Sequence, residues 1–298
     1  TGAVTNNGSL LFNRSDALSV ANAISGTGSL SQVGAGTTSL IGANSYSGTT
    51  TISSGALQVG VGGTAGTLGS GAVTNNASLL FNRSNALAVA NAISGTGSVS
   101  QVGSGTTALT GSNSYSGTTT ITSGTLEVGN GGTTGTLGSG AVTNNATLAF
   151  NRSDALAVAN AISGTGALSQ VGAGTTSLSG ANSYSGTTTI SSGTLQVGGG
   201  GTTGTLGTGN VVNNAILAFN RSNALSVANT ISGTGALNHV GSGTTTLTGT
   251  NTYTGATSVT GGTLVVDGSI ASSSGLTVGS GATIRGIGTL PGTIVSAG

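Results

Sequence analysis

Cysteine is absent from this chain, which excludes a disulfide scaffold and a thiolate metal site. Lys, Met and Trp are absent as well, Pro and His occur once each, and charged residues make up 3% of the chain. A typical globular protein carries roughly 25%. The net charge of +1 leaves no basic footprint for nucleic acid or for anionic lipid. No apolar run approaches the ~20 residues that span a bilayer, and nothing at Thr1 reads as a signal peptide. One Pro, and Gly away from every third position, exclude collagen. Disorder fits poorly too, because 35% of the chain is hydrophobic and the mean hydropathy is +0.27. The pattern described next is under way at both termini, which reads as a piece of a longer protein.

What is present is Gly, at 58 residues, with Ser, Thr and Asn, arranged in a long repeat. "FNRS" begins at Phe12, Phe81, Phe150 and Phe219, and Tyr46, Tyr115, Tyr184 and Tyr253 keep the same interval of 69 residues (81 − 12). The copies are assigned to 1–69, 70–138, 139–207 and 208–267, followed by divergent coils at 268–298. Compared with one another, they show which positions are held. Leu10 and Phe12 are apolar in every copy, while Leu11 between them becomes Leu80, Ala149 and Ala218. Leu40, Leu109, Leu178 and Leu247 are equivalent and unchanged, whereas Ile41 becomes Thr110, Ser179 and Thr248. Leu57 and Val59 are held around a varying Gln58. Held and varied residues alternate with a period of two, as in a strand with one face in a core.

Seven to nine short strands per copy are expected, broken by Gly, Ser and Asn. Sixty-nine is three times 23, so the fold class expected is all-β, a right-handed parallel β-helix with about three coils per copy. At a coil spacing of about 4.8 Å, one copy would rise roughly 14 Å and the chain roughly 60 Å. The equivalent Phe residues, and rows such as Leu40 and Leu57, should then point inward on lines along the axis. Scarce charge fits such stacking, since like charges a strand spacing apart repel, whereas Thr, Ser and Asn stack and hydrogen-bond. A β-sandwich or propeller is the alternative, although propeller blades run ~40–50 residues and carry aromatic signatures. The Gly content and the period of two exclude an α-solenoid.

The segments "GAGTTSLIGANSYSGTTTISSGALQVG" and "GSGTTTLTGTNTYTGATSVTGGTLVVDGSI" resemble the autotransporter-associated β-strand repeat of type V secreted proteins of Gram-negative bacteria. The family motif is matched at Asn251, Thr252, Tyr253, Thr254 and Gly255 and at Gly262, Thr263 and Leu264; the other three copies carry Ser in place of Thr beside the Tyr. The resemblance implies a passenger that crosses the periplasm unfolded, threads an outer-membrane barrel and folds outside, beginning at its C-terminal end. The absence of Cys suits an oxidising periplasm. The partners implied are the protein's own outer-membrane barrel and a ligand on a host or bacterial surface. The location implied is the bacterial surface or the extracellular medium.

No residue set promises chemistry. A Gly-x-Gly-x-x-Gly run stands at Gly199, Gly201 and Gly204, but a dinucleotide site needs a helix after it, so it reads as a flexible turn. His239 replaces Gln32, Gln101 and Gln170 of the other copies and reads as a drifted surface residue, not a catalytic base. The carboxylates are Asp16, Glu127, Asp154 and Asp267; Asn85 and Asn223 stand in the place of Asp16 and Asp154. No coil therefore assembles the carboxylate and Arg or Lys cluster that polysaccharide-cleaving β-helices use. Arg14, Arg83, Arg152 and Arg221 recur once per copy and read as solvated residues, with a weak polyanion or glycan contact as the sharper alternative. Asn13-Arg14-Ser15 fits the N-glycosylation pattern, an accident in a bacterial chain. Paired Asn, as at Asn6–Asn7 and Asn75–Asn76, should satisfy turn amides or form a ladder.

The chain is accordingly expected to be non-enzymatic, with no cofactor and no metal, and to act as an adhesin or aggregation factor. The rival reading is a spacer or self-associating fibre whose activity lies elsewhere on the full protein. Lattice binding of the ice-binding type would need a Thr face in every coil, and "GTTTIS" recurs only once per copy. An open coil edge leaves unpaired N–H and C=O groups, so end-to-end self-association is expected. Neither nucleic-acid binding nor membrane insertion is expected.

Overall fold

The computed structural model describes residues 2–297 and is entirely β, with short strands of two to five residues. Contacts divide it into two units, Thr1–Ala149 and Phe150–Gly298. Each is a β-solenoid in which neighbouring strands pair in parallel.

In the first unit the chain visits three faces in rotation. Val4–Thr5 lies on the first, Ser9–Phe12 on the second and Leu18–Val20 on the third. Ile24–Ser25 then returns to the first face, where Ile24 pairs with Val4. Ser29–Gln32 and Thr37–Leu40 land on the second and third, pairing Leu30 with Leu10 and Thr38 with Leu18. Residues 1–69 hold eight strands, and the next two visits to the first face are made by Asn44–Gly48 and Thr67–Ser70, which are not strands. They still join the face: the Ser45 N–H donates to Ile24 O at 2.8 Å, and the Ser70 N–H to Tyr46 O at 2.9 Å.

Turns are not of equal length. On the third face Leu18 pairs with Thr38, Thr38 with Leu57 and Leu57 with Leu79, so three turns take 20, 19 and 22 residues. Those turns use 61 residues (79 − 18), whereas the copy is 69 long. The remaining eight carry the chain past Leu79 to Leu87, the equivalent of Leu18, which sits on the next face and pairs with Thr107. A copy is therefore three turns and one face. The expected all-β solenoid with about three coils per copy is what the structure shows, but the coils are not three equal lengths of 23 and the equivalent side chains do not form straight rows. Phe12 belongs to the second face and Phe81 to the third. Leu40 pairs on the third face with Val20 and Val59, but Leu109 pairs with Val89 and Val128 on the face that Leu87 opens.

The second unit repeats the rule. Leu156–Val158 begins an eight-stranded sheet that includes Thr175–Leu178, Thr194–Val197, Ile216–Phe219, Ala236–His239, Thr257–Val259 and Leu276–Val278 and ends at Ile294–Ser296. Leu225–Val227, one copy later, begins a separate four-stranded sheet through Thr244–Leu247, Thr263–Val266 and Thr283–Arg285. Leu178 lies in the first of these sheets and Leu247 in the second.

Alternation of burial fills the interior. In Ser78–Phe81, Leu79 and Phe81 are fully buried and Ser78 and Leu80 only partly so. Leu40, Leu109, Leu178, Leu247, Phe81, Phe150 and Phe219 are all inaccessible. Each such side chain contributes roughly 1.5–3 kcal/mol by leaving water. Phe12 differs: it is half-buried, and its neighbour Leu11 is 56% exposed. The strand Ser9–Phe12 has a paired strand on one side only, so half of the cover that Phe81 receives is missing.

Candidate functional site

The segment Asn44–Gly48 is where the copied motif meets the fold. Asn44 accepts the Ile24 N–H on Oδ1 at 3.0 Å and donates from Nδ2 to Thr67 O at 2.7 Å. Its own N–H donates to the Thr67 hydroxyl at 2.7 Å. One side chain thus replaces the ladder bonds that a strand would make above and below it. Tyr46 is fully buried, and its hydroxyl shares a hydrogen bond of 2.7 Å with Thr50 Oγ1. A Cβ at Gly69 would collide with the Tyr46 carbonyl and ring, so only glycine lets the next turn close over the phenol. Burial raises the pKa of each of these tyrosines, Tyr253 to about 12, with the Thr hydroxyl opposing.

The best motif match has the same fate. Asn251 accepts the Ile231 N–H at 2.9 Å, and the Tyr253 hydroxyl is 2.7 Å from Thr257 Oγ1. A Cβ on Gly255 would strike the Gly235 carbonyl, Gly262 has φ +54°, and Leu264 is fully buried. Every one of these residues serves closure of the turn. The paired Asn residues do related work, Asn6 Oδ1 accepting the Gly8 N–H and Asn7 Oδ1 the Thr27 N–H, each at 3.2 Å.

The arginines are engaged with their own surface. Arg83 donates to Gly66 O at 2.7 Å, Thr64 O at 2.6 Å and Asn85 Oδ1 at 2.8 Å, and Arg221 grips Gly204, Thr202 and Asn223 in the same way. They pin the projecting glycine loops, in which Gly60, Gly62 and Gly66, like Gly198, Gly200 and Gly204, have positive φ. The Gly199–Gly204 run is such a loop, with no helix behind it. Arg14 and Arg152 pair with Asp16 and Asp154, each at 2.7 Å. The hydrogen bond from the guanidinium holds both carboxyls below their ordinary pKa. Among the described residues, no three His, Cys, Asp or Glu side chains come together as a metal site.

His239 does not lie on the surface. It is 1% exposed, at an inward position of Ala236–His239. The reading of a drifted surface residue is corrected, and the glutamines explain why polarity is tolerated there. Gln101, fully buried, donates from Nε2 to Gly103 O at 2.7 Å and Gly105 O at 3.2 Å, tying off carbonyls that the tight turn aims inward.

Sequence reasoning missed a groove. Leu87–Val89 is the first strand of its sheet, and the segment Thr67–Ser70 beside it is not a strand. Asn91 Nδ2 bridges the two, reaching Gly69 O at 2.8 Å and Gly71 O at 2.6 Å. A groove of about 380 Å³ lined by Leu68, Leu87, Val89 and Asn44 remains. Its equivalent by Leu206, Leu225 and Asn229 measures about 300 Å³. The available signal was Asn22, Asn91, Asn160 and Asn229, unchanged in all copies.

The passenger-associated-transport-repeat matches residues 30–59, 99–128, 168–197 and 237–266. No curated protein and no solved structure matches the chain.

Proposed function

From a chain that carries the autotransporter passenger repeat four times on a β-solenoid, we propose a surface shaft that acts as an adhesin or aggregation factor. The repeat is that of secreted or surface-exposed proteins, and repeat and fold together are of a structural type. The carrying observation is that the repeated motif is spent inside. Asn44, Tyr46, Thr50 and Leu57 are all buried, which leaves a neutral surface of Ser, Thr, Asn and Gly built in 69-residue increments. Such a surface suits many weak hydrogen-bonded contacts, multiplied by the number of copies. Delivery is through the protein's own outer-membrane barrel, and the shaft stands at the bacterial surface.

A spacer with its activity elsewhere is the second reading, and the same buried motif favours it, because the motif builds length whatever the surface does. Displaying the chain on bacteria fused to a passenger-less barrel separates the two. Settling of cell suspensions and attachment to host cells should increase with copy number. Cells that settle and attach like the barrel-only control leave the spacer. Aggregation would also draw on end-to-end association of solenoid turns. Sedimentation velocity should then show mass rising with concentration, and a strict monomer at high micromolar concentration removes that contact.

A further inference from the structure

His239 is the single position at which a buried, invariant hydrogen-bonding role has been handed to a titratable group. In the first three copies Gln32, Gln101 and Gln170 are at most 1% exposed, and each donates Nε2 to two turn carbonyls, as in Gln32 to Gly34 O at 2.8 Å and Gly36 O at 3.1 Å. His239 is buried to the same degree, yet neither Nδ1 nor Nε2 has a hydrogen-bond partner. Its ladder neighbours are Phe219 on one side and Val259 on the other. A neutral imidazole fits between these two apolar side chains. An imidazolium must be desolvated there without a counter-charge.

Among the described residues, the strands around it offer no compensating charge. The strands Ile216–Phe219, Leu225–Val227, Ile231–Ser232, Thr244–Leu247 and Thr257–Val259, which make the turns around it, carry no charged residue. Arg221 is turned to Thr202, Gly204 and Asn223. Arg152 and Asp154 hold each other. Asp267 and Arg285 are exposed and lie outside those strands. Tyr253, buried in the same copy, has its pKa raised to about 12 and stays neutral throughout the window of interest.

We propose that His239 makes the fourth copy an acid-sensitive segment of the solenoid, whose turns loosen on protonation while the three glutamine-bearing copies do not respond. Burial lowers the His239 pKa, with the Gly243 backbone opposing as the smaller cause. The sign follows: the folded state binds the proton less well than the open state. The stabilisation is complete above the open-state value of about 6.5 and is lost as pH falls through the lower folded-state value. Across that interval the opening constant rises up to about tenfold per pH unit. The window is clean, because this is the chain's one His.

Hydrogen exchange of the whole chain at pH 7.5, 6.5 and 5.5, corrected for intrinsic rates, tests this with internal controls. Amides of 236–259 should lose protection as pH falls, while the equivalents at 29–52, 98–121 and 167–190 should not. His239→Gln installs the residue the other copies fold with and should abolish the response. Equal pH dependence in all four copies, or an unchanged response in His239→Gln, overturns the proposal. So does a His239 ring-proton titration in the folded chain with a midpoint at or above 6.5.

Discussion

Residues 30–59 and 60–91 lie side by side in the first unit and divide the work between them. The first stretch is the matched repeat, and its larger side chains turn inward: Leu30, Leu40, Tyr46, Ile52, Leu57 and Val59 are all inaccessible. The second lies outside the match and carries what projects or stays open, namely the glycine loop under Arg83 and the groove beside Asn91. The contrast teaches that a repeat can be recognisable because it closes the turn, while relief on the surface is generated by the stretch between matches. Loss of a side chain should therefore be costly at the motif residues that close the turn and cheap in the projecting loop of the second stretch.

The hardest test of that division is Tyr46→Ala. It empties a ring-sized site under Gly69 and strands the Thr50 hydroxyl, so a loss of roughly 3–5 kcal/mol is expected. Urea unfolding should show it, with amides near Ile24 and Thr50 most affected. A loss below about 1 kcal/mol would mean the motif is not what closes the turn. Asn91→Ala removes both bonds across the groove and leaves the Gly69 and Gly71 carbonyls unpaired, for about 1–3 kcal/mol. It sharpens the comparison, because it stands in the second stretch beside the groove yet ties two turns together as the first stretch does. Arg83→Ala should cost only about 1 kcal/mol, since its carbonyl partners are wetted at once. Its signature is faster protease cleavage within 60–66, with the equivalent loop at 198–204 unchanged. The smallest effect belongs to Asp16, whose lowered pKa means its pairing with Arg14 is present above the ordinary carboxylate range and lost as pH falls through the folded value. Both groups are exposed, so Asp16→Asn, the change already present as Asn85, should leave the unfolding midpoint in place.

The alternation of held and varied residues made the fold legible. Leu79 and Phe81 flanking Leu80 announce a strand with one wet face, and the structure buries them so. The rotation by one face was not legible. Turn length is set by loops such as the extra residues between Thr50 and Val73, which pair 23 apart while Leu30 and Thr50 pair 20 apart. Nothing in hydropathy distinguishes a long turn from a short one, and 69 divides by 23 too conveniently. The inward glutamines misled for a related reason. A polar residue alternating with apolar ones looks like surface, yet Gln32 is polar because Gly34 and Gly36 aim carbonyls at it. Asn91 went unread because its partners lie on an earlier turn, about twenty residues away in the chain.

The eight residues by which a copy overshoots three turns give the array an angular coordinate. Within each unit, a side chain that recurs once per copy therefore lands on a different face in the next copy. The offset spreads equivalent side chains around the solenoid, so two successive copies cannot stack them into one continuous patch.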